Sequence, residues 1–218
     1  MKDIAIYGAG GYGREVACLI KKINSVKPLW NLIGFFDDNV PKGDAVEYGI
    51  VLGNFNDLNN WDKDLSLVVA IGNSNILKEV ISKINNQNIS YPNLIAPNVT
   101  FYDEETVKWG KGNIVFFNSI ISCYTTFGDF NLLNNSVFLG HNSSIGSYNV
   151  INPSVRISGD VRIGDENFFG VSSIILQGLT VGNNTKLSAG GCLFRNTNDG
   201  LLYAGNPAVI RLTPNKRK

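Results

Sequence analysis

One histidine and one glycine-rich loop are the parts of this chain whose residue types could carry out chemistry. His141 is the only histidine among the 218 residues. An imidazole that titrates near neutrality is the usual general base in enzymes, although a lone histidine is more often a surface or core residue. The loop from Gly8 to Gly13 has the pattern G-x-G-x-x-G, in which backbone N–H groups and a helix N-terminus approach a phosphate. A glycine turn that only packs a helix on a strand is the alternative for this loop.

The glycine loop belongs to a predicted α/β domain that spans residues 1–95. Strand-like runs alternate with segments that favour helices, and this alternation predicts βαβ units around a small parallel sheet. The predicted strands are 3–7, 32–36 and 67–71, and the predicted helices are 14–23 and 76–84. Because the domain is too short for both nucleotide-binding halves of a Rossmann fold, we expect a half-Rossmann domain that holds one nucleotide.

Two polar segments follow the second and third predicted strands. Asp37 and Asp38 come directly after the second strand, where a carboxylate can hold a ribose hydroxyl. Gly72 and Asn73 follow the third strand, where glycine permits close approach of a ligand and asparagine can bind a base or a sugar. An ordinary loop with a helix N-cap is the alternative here. Both segments are expected at the carboxyl edge of the sheet.

A six-residue repeat dominates the second half of the chain. From Trp109 to Leu193 every sixth residue is apolar, and from Gly110 to Gly182 a glycine recurs every eighteen residues. A period of six fits the two-residue period of a strand and not the 3.6-residue period of a helix. Three hexads per glycine predict a triangular parallel β-solenoid of about five coils, capped by the first domain and by the chain after Asn196. His141 follows an apolar position by two residues and is therefore expected at an outward-facing corner.

Composition limits the partners and the compartment. The net charge of +1 gives no reason to expect nucleic acid or an anionic membrane as a partner, and the basic residues 216–218 are expected to be solvated. The three cysteines, Cys18, Cys123 and Cys192, lack the spacing of a metal or redox site. The chain begins with a strand instead of a leader, and no apolar run approaches the roughly 18 residues of a membrane span. These features predict a soluble cytoplasmic protein.

Together these motifs resemble the hexapeptide-repeat acyltransferases, whose left-handed parallel β-helix ends in a G-x-P-A turn beside the coenzyme A site. Residues 205–208, Gly-Asn-Pro-Ala, match that turn. The glycine loop, Phe-Asp-Asp-Asn at 36–39 and Ala-Ile-Gly-Asn at 70–73 are similar to one branch, the sugar acetyltransferases of the PglD and NeuD type. The resemblance covers essentially the whole chain. It implies that residues 1–95 bind a nucleotide-linked sugar and that residues 96–218 are a β-helix acyltransferase domain with a C-terminal cap.

The resemblance also implies a role for individual positions. His141 would be the catalytic base, and acetyl-CoA would lie along the solenoid between neighbouring subunits of a homotrimer. The implied sugar-nucleotide positions are Gly10, Gly11, Tyr12, Asp37, Asp38, Gly72 and Asn73. The implied acetyl-CoA positions are Val150, Val171, Ala189, Gly190, Gly205 and Pro207.

The chain departs from the family pattern at four positions. Members that N-acetylate a 4-amino sugar often have an acid directly after the catalytic histidine, where this chain has Asn142. Histidines that are common in the family are replaced by Tyr12, Ala96 and Val150. These differences keep the catalytic base but weaken the assignment of the atom that is acetylated.

The resemblance predicts an acetyl-CoA-dependent N-acetyltransferase that acts on a nucleotide-linked 4-amino-4,6-dideoxy sugar in surface glycan biosynthesis, such as that of lipopolysaccharide O-antigen. We expect direct transfer in a ternary complex, with His141 as base and backbone N–H groups near Gly140 or Gly159 as the oxyanion site. No metal and no covalent intermediate on Cys123 are expected. The nucleotide, whether UDP, dTDP or GDP, is not encoded in these motifs.

Three other functions remain to be separated from this one. Sugar O-acetylation, as for sialic acids, requires a stronger base than amine acetylation and is mildly disfavoured by Asn142. A non-catalytic scaffold could bind a nucleotide sugar without using His141 or acetyl-CoA, since fold alone does not determine function. A zinc-dependent carbonic anhydrase on the same solenoid would need three histidine ligands, and this chain contains one.

Overall fold

The computed structural model describes residues 1–211 and divides the chain into two compact units. The first unit is Met1–Pro97, and the second begins at Asn98. The basic residues 216–218 lie outside the described residues. Within residues 1–211, every helix is too short or too polar to span a membrane.

The first unit is an α/β domain with a mostly parallel sheet. Its elements are β1 (Lys2–Tyr7), α1 (Gly11–Val26), β2 (Trp30–Phe36), β3 (Ala45–Val46), β4 (Gly49–Gly53), α2 (Phe55–Asn59), β5 (Leu65–Val69), α3 (Ser74–Lys83), β6 (Ile89–Ser90) and β7 (Leu94–Ile95). The strands of the sheet lie in the order β3-β4-β2-β1-β5-β6, and β3 is its antiparallel edge. The three predicted strands are its central strands, whereas the β3–β4 hairpin, α2 and β6 were not predicted.

Apolar spacing explains why the central elements pack as they do. Helix α1 buries Val16, Leu19, Ile20 and Ile23, a spacing that places all four on one face. Strands β1 and β5 are runs of buried residues, as expected for the centre of a parallel sheet that is covered on both faces. The parallel arrangement brings the carboxyl ends of β1, β2 and β5 to the same edge of the sheet.

The second unit is the predicted β-solenoid. Its strands are β8 (Thr100–Phe101), β9 (Ile114–Val115), β10 (Ile120–Ile121), β11 (Thr126–Phe127), β12 (Leu132–Leu133), β13 (Phe138–Leu139), β14 (Ser144–Ile145), β15 (Val150–Ile151), β16 (Arg156–Ile157), β17 (Arg162–Ile163), β18 (Phe168–Phe169), β19 (Ile174–Ile175), β20 (Thr180–Val181), β21 (Lys186–Leu187), β22 (Cys192–Leu193), β23 (Leu202–Ala204) and β24 (Val209–Arg211), with a 3₁₀ turn at Glu104–Thr106. They form three ladders, β8-β10-β13-β16-β19-β22, β11-β14-β17-β20 and β9-β12-β15-β18-β21-β23-β24. These ladders are the three sides of a triangular coil.

The strand register reproduces the repeat seen in the sequence. Ile121 pairs with Leu139, and Leu139 pairs with Ile157, each eighteen residues further along. Fourteen of the fifteen apolar positions in the six-residue series are buried. The remaining one, Trp109, stacks on Phe127 with ring centroids 4.2 Å apart. The prediction of an α/β domain followed by a left-handed parallel β-helix is confirmed.

A hydrogen-bonded ladder explains the eighteen-residue glycine period. We call the segment that joins β14 to β15, residues 146–149, the capping corner, together with its equivalents in the other coils. Here the side chain of Asp165, one coil further on, accepts a hydrogen bond of 2.7 Å from the backbone N–H of Ser147. A Cβ on Gly146 would overlap the same carboxylate. The other glycines of this period meet the side chain or backbone of the next coil in the same way.

A column of buried asparagines lines the inside of the same corner. Its members are Asn113, Asn131, Asn149 and Asn167, all at most 1% exposed. The Asn149 Oδ1 accepts a hydrogen bond of 2.9 Å from the backbone N–H of Asn167, and its Nδ2 donates one of 3.0 Å to Asn131. This column satisfies backbone groups inside the solenoid, where water is excluded.

Candidate active site

His141 lies at a corner of the solenoid, between β13 and β14. We call residues 140–143 and their equivalents in the other coils the histidine corner. Its backbone turns sharply because Asn142 adopts the left-handed conformation, with φ of 55°. The His141 side chain is exposed, and its carbonyl oxygen accepts a hydrogen bond of 2.8 Å from the Asp160 N–H on the next coil. Thus the backbone of this corner is fixed while the imidazole faces solvent.

Gly159 makes room for the imidazole. A Cβ on Gly159 would lie 2.6 Å from the His141 Nε2, closer than two such atoms can approach. Within residues 1–211, the backbone N–H of Gly159 donates no hydrogen bond. The histidine corner therefore places a candidate general base beside a backbone N–H that is free to bind an anionic oxygen.

An acidic residue that the sequence analysis missed stands next to the base. Asp160 lies one coil above Asn142, whose Nδ2 donates a hydrogen bond of 3.2 Å to its carboxylate. The Gln177 Nε2 donates a second one, of 3.1 Å, to the other oxygen. These two hydrogen bonds hold the pKa of Asp160 below its usual range, and the nearby His141 and Arg162 contribute in the same direction. The eighteen-residue spacing between positions 142 and 160 was the signal that could have identified Asp160.

Four of the residues predicted for acetyl-CoA lie at a different corner. Val171 and Ala189 stand one coil apart at the segments that follow β18 and β21, and the Gly190 N–H donates a hydrogen bond of 2.9 Å to the Val171 carbonyl. Gly205 lies one coil beyond Ala189. Leu187 pairs with Tyr203, and Ala189 and Gly205 each follow their paired residue by two positions. We call this column the valine corner.

The predicted turn at 205–208 continues the valine corner. The Cys192 N–H donates a hydrogen bond of 2.9 Å to the Gly205 carbonyl, and the Ala208 N–H donates one of 2.7 Å to the Cys192 carbonyl. Pro207 is exposed within this turn. Val150 lies apart from it, buried in β15 between Leu132 and Phe168. Within one chain, the predicted base and the predicted acetyl-CoA positions thus occupy different corners of the triangle.

The glycine loop of the first unit combines close packing with an open face. Gly8 has φ of +108°, and a Cβ on Gly13 would overlap the Gly8 carbonyl oxygen, so both positions are restricted by packing. By contrast, nothing lies within 4 Å of a Cβ placed on Gly10, and Gly11 is almost as open. Helix α1 begins at Gly11 without a side-chain cap and without an acidic residue in its first turn. The N–H groups and the dipole of a helix N-terminus favour an anion at such a position.

The two aspartates hold the loops of this edge together. The Asp37 carboxylate accepts hydrogen bonds of 2.8 Å from the Ala9 N–H and of 2.8 Å from the Asn39 N–H. Asp38 accepts hydrogen bonds from the Tyr7 hydroxyl and from the Phe55 N–H. Burial and the adjacent Asp38 raise the pKa of Tyr7 well above its ordinary value. These contacts fix the carboxylates next to the glycine loop and still leave lone pairs for a ligand.

A small cavity opens beside the aspartates. It has a volume of about 230 Å³, and its lining includes Asp37, Asp38, Lys42, Asn54 and Asp57. The Lys42 ammonium forms an ion pair of 2.8 Å with Asp57 on its rim. Since the cavity lies at the carboxyl edge, it provides a recess where ligands of open α/β sheets bind.

The other predicted sugar-nucleotide positions have clear local roles. The Asn73 side chain is the N-cap of α3 and accepts hydrogen bonds from the N–H groups of Asn75 and Ile76. A Cβ on Gly72 would meet nothing within 4 Å, so the backbone there is open to a ligand. Tyr12 lies in the first turn of α1, where burial raises the pKa of its phenol. The structure thus brings the loop, the aspartates and the end of β5 to one edge.

No cluster of three or more His, Cys, Asp or Glu side chains within residues 1–211 could hold a metal ion. The three cysteines of the chain are all free thiols.

The first unit matches a known domain family. Residues 3–84 match the PglD N-terminal domain. No sequence among the curated proteins matches this chain.

Solved structures match the chain over both units. The acetyltransferase domain of PglB from Neisseria gonorrhoeae FA1090 superposes with a TM-score of 0.87 at 26% identity, over 97% of this chain and 100% of that one. The same domain in complex with acetyl coenzyme A gives a TM-score of 0.87 at 26% identity, over 96% and 99%. PerB from Caulobacter crescentus, in complex with CoA and GDP-perosamine, gives 0.83 at 25% identity, over 97% and 98%. The predicted resemblance is confirmed: over both units, the chain has the fold and the domain order of a PglD-type sugar acetyltransferase.

Proposed function

We propose that this protein transfers the acetyl group of acetyl-CoA to the amino group of a nucleotide-linked 4-amino-4,6-dideoxy sugar. The observation that carries the proposal is the histidine corner, where the only imidazole of the chain is exposed against Gly159. The similarity to PglB bound to acetyl-CoA and to PerB bound to CoA and GDP-perosamine supports both substrates.

The chemistry follows from the groups at this corner. The sugar amine attacks the thioester carbonyl carbon, and His141 accepts the proton that the nitrogen loses as the C–N bond forms. The Gly159 N–H donates a hydrogen bond to the carbonyl oxygen as negative charge develops on it. The C–S bond then breaks, the imidazolium returns the proton to the thiolate, and the N-acetyl sugar and CoA leave. Because an amine is already a good nucleophile, this route needs no covalent acyl-enzyme.

The first unit is proposed to bind the nucleotide portion of the sugar substrate. The uncapped N-terminus of α1, at Gly10, Gly11 and Tyr12, would hold a phosphate, because its N–H groups and the helix dipole both favour an anion. Asp37 and Asp38 would accept hydrogen bonds from the nucleoside, and the open backbone at Gly72 with the side-chain amide of Asn73 would complete the edge.

The acetyl-CoA positions support a homotrimer. Within one chain, His141 and the valine corner lie at different corners of the triangular solenoid. A neighbouring copy that offers its valine corner to this histidine corner would complete the site. Free cysteines and the proposed substrates further support a cytoplasmic location and a role in surface glycan biosynthesis.

A thiol-release assay with acetyl-CoA tests the proposal. The acceptors are UDP-, dTDP- and GDP-linked 4-amino-4,6-dideoxy sugars, each paired with its 4-hydroxy counterpart. We expect CoA release with one amino sugar, and its loss in His141→Ala. Release with only a hydroxyl acceptor would replace the proposal with O-acetylation. A folded protein that binds a nucleotide sugar but neither binds nor turns over acetyl-CoA would instead be a scaffold.

A further inference from the structure

We propose that Asp160 is a positioning residue for His141: its carboxylate supplies, from the next coil, the negative charge that strengthens the imidazole as a base. This inference rests on the proposed function. Asn142, directly after the histidine, cannot supply this negative charge because its side chain is uncharged.

The hydrogen-bond partners of Asp160 differ from those of the aspartates that stabilise the solenoid. On the capping corner, Asp129 and Asp165 each accept a hydrogen bond from a backbone N–H of the coil below. The Asp160 carboxylate accepts hydrogen bonds from two exposed side chains, Asn142 and Gln177. Loss of these two bonds would leave no buried backbone group unpaired, so the fold does not require a carboxylate here.

The same contacts fix the carboxylate close to the chain positions of the base. Gln177 belongs to the column of His141 and Gly159, two coils above the histidine, and Asn142 is the next residue in the chain. The two amides therefore hold the Asp160 carboxylate at the histidine corner. Gly159, whose backbone lies against the His141 ring, directly precedes Asp160 in the chain. The hydrogen bonds from Asn142 and Gln177 lower the pKa of the aspartate, and the nearby His141 contributes in the same direction.

Other groups around the corner do not supply this charge. Arg162 is positively charged and interacts with Asp160. Cys123 and Tyr124, one coil below His141 and Asn142, carry a thiol and a phenol and no carboxylate. Among these neighbours, Asp160 is the residue that offers an anion to the imidazolium. Because the site is exposed, the interaction is screened by salt.

The single histidine allows a direct test. In protein without a histidine tag, labelled with ¹³C-histidine, one imidazole resonance reports the titration of His141 without assignment. The variant Asp160→Asn removes the charge and keeps the size of the side chain. Because an anion favours the protonated imidazole, we expect the titration midpoint to fall by about half a pH unit at low salt. The difference should shrink in 1 M salt.

Two further variants distinguish a local charge from a general effect. Glu166→Gln removes a carboxylate from the capping corner, at a residue with the same left-handed backbone as Asp160. Its histidine titration should match the unmodified protein. The exchange Asn142→Asp with Asp160→Asn returns the charge to the residue after His141, and it should restore the midpoint.

Kinetics provide the second readout. Since the imidazole must be neutral to accept a proton, the acid limb of the kcat/KM profile should move to lower pH in Asp160→Asn. Its plateau should fall about threefold, because a weaker base transfers the proton less readily. Asp160→Glu should retain most of the activity.

Several results would overturn the inference. These are an unchanged midpoint in Asp160→Asn, an equal fall in Glu166→Gln, or an exchange variant that titrates like Asp160→Asn. The histidine titration needs no acceptor sugar. A protein that transfers acetyl to no amino sugar would therefore refute the proposed function, while the midpoints would still decide the role of Asp160.

Discussion

The capping corner and the histidine corner belong to the same coil and are built from the same repeat, yet they use their polar groups differently. At the capping corner, the side chain of Asp165 satisfies the Ser147 N–H, and Asn149 satisfies a backbone group inside the coil. At the histidine corner, the imidazole of His141 and the N–H of Gly159 have no hydrogen-bond partner within residues 1–211. The first corner stabilises the solenoid, and the second leaves its groups free for a ligand.

Both corners exclude a side chain at a glycine, but for different reasons. A Cβ on Gly146 would meet Asp165 and the backbone of the next coil, and a Cβ on Gly159 would meet the ring of His141. Crowding against the backbone preserves the coil, whereas crowding against the imidazole preserves the position of the candidate base. The comparison therefore separates substitutions that affect stability from those that affect catalysis.

The largest expected effect comes from His141→Ala. Because this exposed side chain makes no hydrogen bond within the described chain, its loss should leave the melting temperature nearly unchanged. The kcat should fall about 10²–10⁴-fold, the usual contribution of a general base. Thiol release at saturating substrates measures the effect. Activity close to that of the unmodified protein would remove the basis for treating this corner as catalytic.

Asn149→Ala should have the next largest effect, and it should change stability instead of catalysis. It leaves the Asn167 N–H without its acceptor and creates a cavity, so unfolding should become easier by about 2–4 kcal/mol. Urea denaturation at a fixed protein concentration measures this change. Thr126→Ala, on an exposed strand position, serves as the control and should change stability by less than about 0.5 kcal/mol.

The substitutions Gly146→Ala and Gly159→Ala test the comparison directly. Gly146→Ala should lower the free energy of unfolding by about 1–3 kcal/mol through overpacking, with the activity of folded molecules retained. Gly159→Ala should displace the imidazole and lower kcat about tenfold or more, with a smaller change in stability, since an exposed ring can rotate away. If both variants lost stability equally and kept their activity, the distinction between the two corners would be wrong.

The smallest effect is expected at the edge of the first unit. Gly10 has an ordinary φ of −77° and open space around it, so Gly10→Ala should fold normally. The added methyl would stand where a phosphate approaches, and KM for the nucleotide sugar should rise about fivefold, a cost of about 1 kcal/mol. KM for acetyl-CoA in the same variant is the internal control and should not change.

The apolar positions of the solenoid could be predicted because burial selects residue type directly. Each six-residue repeat buries one residue at the same position, so an apolar residue recurs at every sixth position from Val115 to Leu193. The asparagine column was missed because polar residues at buried positions do not follow an apolar pattern, although its eighteen-residue spacing is visible once the strand register is known. In the first unit, the β3–β4 hairpin was missed because β3 has only two residues and β4 is a short segment that begins and ends with glycine, which is uncommon in strands.

The candidate site was only partly accessible from sequence for a related reason. His141 could be singled out as the only histidine, and the glycine loop could be found from its spacing. Asp160 was missed, since its relation to Asn142 is visible in the sequence only through the eighteen-residue stacking of the coils and not through proximity along the chain. Asp37, Asp38 and Asn73, which are predicted to bind the substrate, also accept hydrogen bonds from backbone N–H groups. This second role became clear only from the contacts.

The strand register has a consequence for how the gene of such a protein can change in length. Between Ile120 and Lys186 every strand pairs with a residue eighteen positions away, whereas the pairing at the two ends spans twenty residues, from Thr100 to Ile120, and sixteen, from Lys186 to Leu202. If one codon were gained or lost in the coils between Ile120 and Lys186, the strands after it would shift by one residue. Side chains that now face the core would then face solvent. Length variation among descendants of this gene should therefore concentrate at the two ends of the solenoid or occur as whole coils.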